Sequence, residues 1–500
     1  MSTSLPMSEH RTRGLFSVAS SVVSAVALIA LFRLSLELQS LAAVGLWALL
    51  QGLFLISRIA GSGLGSNITR HVAVLQREGS PLPIGSMIGA GMLIGVVPVL
   101  ALSALTFHPI TQFVHRQYGG KFSAGEIKGL AVLCVLAGVL SAAAVVLLAV
   151  SEGMGHLREN SLILIGGNLL SLVAVYPLLT TCGLAGIGLA YVVNAAAQLI
   201  GATVWLAHIT TPHRGQSWQV KAQLAELTSE SVHLTSIGVL RLTFEPITKL
   251  LLAGVGSLGT VAAFELALRV STQARIFFQA GAQPLLVHAS RRQRELAPEM
   301  MEAFERGQKA LSEMCALAIV CLACGSAAVS YVGLGRLNDE FLLFFGILAG
   351  ANMINSTGLL GYFYQLSAGR LWPLVKIHLL MAALNLAAGS VGAFALGEVG
   401  VVAAYACTLA LGGVLLISLL PKAIRRTVRH TRRVWWASIA ASVAALATTA
   451  AVPLDAQRGV AALLALVAVI PMAMAYRLIP GARNAARPAE QASRGMEIGP

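Results

Sequence analysis

The sequence predicts an all-α, polytopic membrane protein with about 14 transmembrane helices. Of the 500 residues, 56% are hydrophobic and only 11% are charged, and the mean hydropathy is +0.78. Soluble domains use about 25% charged residues, so water is not the main solvent of this chain. Apolar runs of about 20 residues, long enough to span the hydrocarbon layer, recur from Gly14 to Tyr476 with short polar breaks.

The predicted helices follow one another closely along the chain. The first apolar stretch is too long for a cleaved signal peptide, and it continues as a series. The first six spans are predicted at 14–36, 42–66, 84–107, 127–150, 160–181 and 185–207. The next six are predicted at 232–254, 259–283, 309–331, 340–365, 372–396 and 399–420, and two more at 435–453 and 459–478.

These spans predict two six-helix lobes around a central cavity, plus two C-terminal helices. An internal alignment of 41–71 with 258–288 places Arg58 over Arg275 and suggests that the lobes are parallel repeats. The predicted parts are a cytoplasmic tail (1–13), the N-terminal lobe (14–208), a cytoplasmic linker (209–231), the C-terminal lobe (232–420), a basic cytoplasmic loop (421–434), helices 13 and 14 (435–478) and a second cytoplasmic tail (479–500).

The distribution of Lys and Arg predicts the orientation. Cytoplasmic loops are enriched in these residues, and the basic segments 291–309 and 422–433 both fall in even-numbered connections. The longest outside loop is predicted at 108–126. Both termini are therefore expected in the cytoplasm. The net charge of +14 then belongs at membrane edges beside anionic lipids, and nucleic acid is not an expected partner.

Charged residues inside the predicted spans are the candidate functional residues. A buried Arg costs about 2.5 to 3.5 kcal/mol, so these cations must face water, each other or a ligand. A cavity lined by the first, second, seventh and eighth predicted helices would allow this. The cations are Arg33, Arg58, Arg241, Lys249, Arg269 and Arg275, and the acids are Glu37, Glu245 and Glu265. Six cations against three acids leave a net charge of +3, which predicts an anionic ligand such as a phosphate.

Helical spacing divides these residues into two kinds. Arg241, Glu245 and Lys249 are four residues apart and share one helix face. Arg58 and Arg275 have no acid within one turn of their own helices, which makes them the best candidates for ligand contact.

The three acids, Glu37, Glu245 and Glu265, are assigned either to ion pairs that lock helices together or to proton coupling. Pro246 interrupts the seventh predicted helix, where it is a candidate hinge, although proline kinks also occur as packing features.

The start of the second predicted helix resembles a known family. The residues Val-Gly-Leu-Trp-Ala-Leu-Leu-Gln-Gly at 44–52, the Gly-rich stretch from Gly61 to Asn67 and the following Arg70 resemble polysaccharide-transport members of the multidrug/oligosaccharidyl-lipid/polysaccharide exporter superfamily. Wzx-type flippases of this branch commonly have Tyr where Val44 stands here. The detailed resemblance covers residues 14–75, and the two-lobe architecture extends it to the whole chain.

The resemblance implies a flippase in the bacterial inner membrane that moves an undecaprenyl-diphosphate-linked oligosaccharide, an O-antigen or exopolysaccharide unit, by alternating access. A polysaccharide polymerase and glycosyltransferases would be its partners. No cofactor or metal is expected, whereas proton or sodium coupling remains open. The alternatives are a multidrug or other small-molecule exporter and a lipid II flippase, which also carries basic residues on helices two and eight. An enzyme such as a glycan polymerase or ligase is disfavoured because no acid and base pair is evident in the outside loops.

Overall fold

The fold is all-helical over the part of the chain that the structure describes. This computed structural model describes residues 7–54, 64–77, 83–210, 237–238, 240, 243–290, 298–368, 370–422, 424–426, 435–436 and 439. Among these residues every regular element is a helix and no strand occurs. The predicted all-α, polytopic class is therefore confirmed.

The helices are numbered here in chain order. They are α1 (Met7–Leu38), α2 (Leu41–Leu53), α3 (Gly65–Arg77), α4 (Ile84–Tyr118), α5 (Ala124–Gly153), α6 (Leu157–Cys182), α7 (Leu184–Ile209), α8 (243–255), α9 (Leu258–Ser290), α10 (Pro298–Leu334), α11 (Asp339–Thr357), α12 (Leu359–Ser367) and α13 (Trp372–Ser418). Seven described helical stretches are long and apolar enough to cross a membrane, namely α4 to α7, most of α10, the α11–α12 pair and α13.

The predicted outside loop at 108–126 is wrong over most of its length. Helix α4 continues through Pro109 to Tyr118, so only residues 119–123 separate it from α5. Pro109 has no backbone N–H to donate within the helix. Thr111, one turn after Phe107, donates its Oγ1 hydroxyl to the Phe107 carbonyl at 2.8 Å. Helix α5 then begins with a capping box, in which the Ser123 and Glu126 side chains each accept from the other's backbone N–H.

Two other boundaries follow from proline and glycine. Pro298 is the first residue of α10, and this helix runs without interruption from the charged segment into the membrane span. Helix α13 contains the two spans predicted at 372–396 and 399–420. They are separated at Gly397, whose φ of 58° lies outside the helical region and favours glycine.

The second predicted helix ends earlier than the apolar pattern suggested. Helix α2 stops at Leu53, and residues 55–63 lie outside the described part. A separate helix, α3, begins at Gly65 and carries Arg70. Thr69 links α3 to α5, because its Oγ1 donates a hydrogen bond to the Ala149 carbonyl at 3.1 Å.

The chain divides into two compact units, each with its own core. The first contains the described residues of Met1–Leu266 and His378–Tyr405. Its core includes Ile68, Met87 and Val146 from three neighbouring helices. Trp47 of α2 is 1% exposed and packs against Tyr191 of α7 with ring centroids 4.9 Å apart.

The second unit contains the described residues of Ala267–Ile377 and Ala406–Pro500. Its core includes Leu311 and Cys315 of α10, Met353 of α11 and Leu360 of α12. In both units large apolar side chains are among the most exposed, as Val173 in the first unit and Val332 in the second illustrate at 73% and 58%. Such a surface is expected of a protein whose outer face meets lipid.

Candidate functional site

A buried cluster of charged residues joins α2, α8 and α9 within the first unit. Lys249 and Glu245 lie one turn apart on α8, and Glu265 projects from α9. Helix α2 contributes a backbone carbonyl at Ala48. We call Glu245, Lys249 and Glu265 the charge cluster.

Local capping fixes where α2 and α9 begin. The Ser40 side chain accepts a hydrogen bond from the Ala43 N–H and starts α2. Ser257 does the same for α9, because its Oγ accepts from the Thr260 N–H at 3.1 Å while Thr260 Oγ1 accepts from the Ser257 N–H at 3.3 Å. Both helices therefore start at defined residues, and their registers bring Ala48 and Glu265 to Lys249.

Lys249 is the centre of the charge cluster. Its Nζ lies 2.7 Å from Glu245 Oε1 and 2.6 Å from Glu265 Oε2, and it donates to the Ala48 carbonyl at 3.0 Å. The side chains of Lys249 and Glu265 are fully buried, whereas that of Glu245 is 15% exposed. The ammonium thus has two hydrogen-bond acceptors, Glu245 Oε1 and the Ala48 carbonyl, and a third oxygen, Glu265 Oε2, as an ion-pair partner.

The charge cluster is acidic as a whole. Two carboxylates and one ammonium give a net charge of −1 when all three are ionised. Both glutamates also make interactions beyond the Lys249 contacts. In this conformation the Lys249 side chain has no exposed surface, so a ligand could reach it only after Glu245 or Glu265 moves away.

The remaining predicted residues lie in different surroundings. Arg33 forms an ion pair with Glu37 one turn later on α1, and both side chains are more than a third exposed. Arg269 and Arg275 lie on α9, are partly buried and interact with other groups. Arg58 and Arg241 are outside the described residues, so their predicted roles stay predictions.

Helix α8 remains helical through Pro246. Near this proline, the Phe244 carbonyl accepts hydrogen bonds from Thr248 Oγ1 at 2.9 Å and from Asn385 Nδ2 at 3.3 Å. The extra hydrogen bonds tie this segment of α8 to α13. The hinge role of Pro246 stays a prediction.

A second set of contacts joins the two predicted lobes at helix ends that were predicted to face outside. Tyr118 at the end of α4 donates its hydroxyl to the Ala253 carbonyl near the end of α8 at 2.7 Å. A Cβ at Gly45 of α2 would overlap the carbonyl oxygen of Leu258 at the start of α9. All four residues belong to the first unit. We call these the outer contacts.

Sequence reasoning based on charge missed the outer contacts and a row of amide side chains on α6 and α7, described below. The spacing of Asn194 and Gln198, four residues apart in an apolar helix, is a signal that could have indicated the amides. No comparable signal marks Tyr118. Among the described residues, no group of three His, Cys, Asp or Glu side chains could hold a metal ion.

Known structures share this architecture, although sequence comparison found no relative. No protein-family model and no curated protein sequence matches the chain. The lipid II flippase MurJ in an inward closed conformation superposes with a TM-score of 0.60 at 12% identity, covering 93% of this chain and 99% of the flippase.

Two further solved structures give similar results. A MOP superfamily transporter from Pyrococcus furiosus, described as having a binding pocket of reversed polarity, has a TM-score of 0.58 at 15% identity over 85% of this chain and 95% of its own. The Vibrio cholerae MATE transporter VcmN in its bent form has a TM-score of 0.55 at 14% identity, over 86% of this chain and 99% of its own. The chain therefore shares the fold of MOP superfamily transporters, and it is a multi-pass membrane protein.

Proposed function

We propose that this chain is a flippase that moves an undecaprenyl-diphosphate-linked oligosaccharide, an O-antigen or exopolysaccharide unit, across the bacterial inner membrane, with both termini in the cytoplasm. The observation that supports it most is the charge carried by α9, which has a fully buried Glu265 followed by the partly buried Arg269 and Arg275. Charged residues inside a membrane helix mark the paths of substrates and ions. The shared fold with flippases and exporters agrees with this role.

The diphosphate would bind through the excess of cations over acids among the nine predicted residues. Arg33 and Glu37 cancel each other, and the charge cluster contributes −1. Arg58, Arg241, Arg269 and Arg275 then leave the nine residues with a net charge of +3. One planar guanidinium group can bind two phosphate oxygens at once, and its positive charge would repel a cationic drug. These arginines therefore suit a diphosphate better than a cationic drug.

Alternating access would use the outer contacts as the closed outside end. Tyr118 and Gly45 belong to the predicted N-terminal lobe, and their partners Ala253 and Leu258 to the predicted C-terminal lobe. Opening toward the outside would break these contacts, and Pro246 would act as the hinge. A polysaccharide polymerase and the glycosyltransferases that build the substrate are the proposed partners.

The charge cluster is the proposed coupling site. Protonation of Glu245, the partly exposed member, would remove one of the two carboxylates that hold Lys249. The freed ammonium could then meet the substrate diphosphate. Proton uptake and loss at Glu245 would thereby couple the proton gradient to binding of the diphosphate.

A multidrug or other small-molecule exporter of the same fold is the second candidate, because an acidic buried cluster would suit a cationic compound. A lipid II flippase is the third. We do not propose an enzyme.

The test is transport by the purified protein in liposomes. A fluorescent undecaprenyl-diphosphate oligosaccharide should be moved across the bilayer, and a cationic dye should not. Arg275→Ala should abolish this movement, and Arg275→Lys should keep part of it because a point charge remains without the planar fork. Arg336→Ala, at an exposed position between α10 and α11, is the matched control and should transport normally.

Transport of the dye without the lipid would favour the exporter. Normal lipid movement by Arg275→Ala would remove this residue from the site.

A further inference from the structure

Three amide side chains form a continuous hydrogen-bonded row across α6 and α7. Gln198 Nε2 donates to Asn194 Oδ1 at 2.6 Å, and Asn194 Nδ2 donates to Asn168 Oδ1 at 2.9 Å. The row ends on α1, where Asn168 Nδ2 donates to Ser24 Oγ at 2.7 Å. We call Asn168, Asn194 and Gln198 the amide row.

The close approach of α6 and α7 at this level depends on a glycine. A Cβ at Gly167 would lie 2.8 Å from Gln198 Cγ and 3.3 Å from the Asn194 carbonyl oxygen. The absence of a side chain at 167 lets the Gln198 side chain lie across α6. The amide row is therefore built by the packing of two helices.

The amide row lies on the inward faces of its helices. The most exposed apolar residues nearby are Val173 on α6 and Ile200 on α7, at 73% and 62%. At about 100° per residue, Val173 is rotated about 140° from Asn168, and Ile200 about 160° from Gln198. The amides thus point away from the lipid-facing side.

The amide row is nevertheless reachable. All three side chains are only partly buried. Each amide nitrogen has two N–H donors, and the row uses one of each. Within the described residues, Gln198 Oε1 accepts no hydrogen bond and is not fully buried. Three N–H groups and one carbonyl are therefore available to a ligand inside the first unit.

The two helices that carry the amide row have no charged residue near it. Helix α7 contains no Asp, Glu, Lys or Arg, and α6 has only Arg158 and Glu159 in its first turn. An ion would find no counter-charge here, whereas a neutral group with several hydroxyls can both accept from the N–H groups and donate to the Gln198 carbonyl.

We propose that the amide row is a binding site for the neutral, hydroxyl-rich sugar part of the transported molecule. The inference rests on the proposed function. It divides the substrate between an uncharged site for the sugar in the predicted N-terminal lobe and arginines for the diphosphate. Paired hydrogen-bond donors and acceptors match adjacent sugar hydroxyls.

Binding to two lipids tests the proposal. Undecaprenyl diphosphate and its N-acetylglucosamine-linked form differ by the sugar and by the one ionisable phosphate oxygen that the sugar replaces. Wild-type protein should bind the sugar-bearing lipid about tenfold more tightly, as a few net hydrogen bonds would give. Gln198→Met, similar in length but lacking the amide, should lower this ratio to about one while the affinity for undecaprenyl diphosphate stays the same. Thr203→Val, on the exposed face of α7, is the control and should keep the ratio.

A ratio of about one in the wild type, or an unchanged ratio in Gln198→Met, would overturn the sugar site. Failure of the wild type to bind either lipid would instead overturn the diphosphate part of the proposed function. In that case the sugar site is decided by a separate measurement that needs no diphosphate.

That measurement is cysteine labelling in membranes with a water-soluble maleimide. Gln198→Cys should be labelled, and a neutral oligosaccharide such as maltotetraose should slow its labelling. Ile200→Cys, two residues away and facing lipid, should not be labelled. If Gln198→Cys is not labelled, or if the oligosaccharide does not slow its labelling, the amide row only holds the helices together and binds no sugar.

Discussion

Gly52 of α2 lies directly against the side chain of Lys249 on α8. A Cβ at position 52 would stand 2.5 Å from Lys249 Cδ and 2.8 Å from Lys249 Nζ. The lysine cannot move aside freely, because its Nζ is held by two glutamates and the Ala48 carbonyl. The glycine is therefore part of the charge cluster although it carries no charge.

Gly52→Ala should destabilise the protein by about 1 to 3 kcal/mol, the usual effect of overpacking a buried site. Thermal unfolding in detergent measures it. Gly254→Ala on α8 is the matched control, since a Cβ there would meet nothing within 4 Å and should raise stability slightly through helix propensity. Equal unfolding temperatures for the two variants would contradict the close contact.

Lys249→Met should destabilise the protein by about 3 to 5 kcal/mol, because it removes the cation that lies 2.6 Å from the fully buried Glu265. The double variant Lys249→Met with Glu265→Gln should regain much of this loss, since the buried charge is gone. A double-mutant cycle of unfolding free energies checks the coupling. Additive effects would mean that the two residues do not depend on each other.

Glu245→Gln should remove the dependence of transport on a proton gradient. In liposomes loaded with the lipid-linked substrate, a pH difference across the membrane should change the rate of wild-type export, because the partly exposed carboxylate takes up and loses the proton. The variant should transport at a rate that the gradient does not change. Glu302→Gln, at an exposed position of α10, should keep the wild-type response. A gradient response in Glu245→Gln would exclude this carboxylate as the coupling group.

Gly45→Ala should weaken closure of the outside end. The new Cβ would overlap the Leu258 carbonyl, which is backbone and cannot rotate away. A cysteine introduced at Leu258, a residue 2% exposed in this structure, should react with a water-soluble maleimide faster in the variant than in the parent. Gly129→Ala, where a Cβ meets nothing within 4 Å, should leave the reaction rate unchanged.

Reporter fusions should place the turn after α4 outside the cytoplasm and segments 291–309 and 422–433 inside it. Gly120, in the turn at 119–123, is the best insertion point because a Cβ there has open space around it. A cytoplasmic reporter at Gly120 would reverse the orientation inferred from Lys and Arg. It would also turn the outer contacts into inner ones.

Particular residues explain where sequence reasoning succeeded and where it failed. Apolar runs predicted the two spans that α13 contains, because the length of an apolar stretch is a local property. The loop predicted at 108–126 failed because hydropathy falls near His108 and Pro109 although the helix continues to Tyr118. Charge counting found every member of the charge cluster, but it could not assign their partners.

The sequence by itself determined that this protein is a helical, multi-pass membrane protein with rare charges in its spans, because the cost of placing polar groups in hydrocarbon acts on each residue separately. Only the tertiary structure decided that Lys249 is fully buried between Glu245 and Glu265, that Gly52 makes room for it, and that Asn168 meets Asn194. The contacts between helices depend on how each helix is positioned along its neighbours. Register is set by packing across the whole unit, which no local pattern encodes.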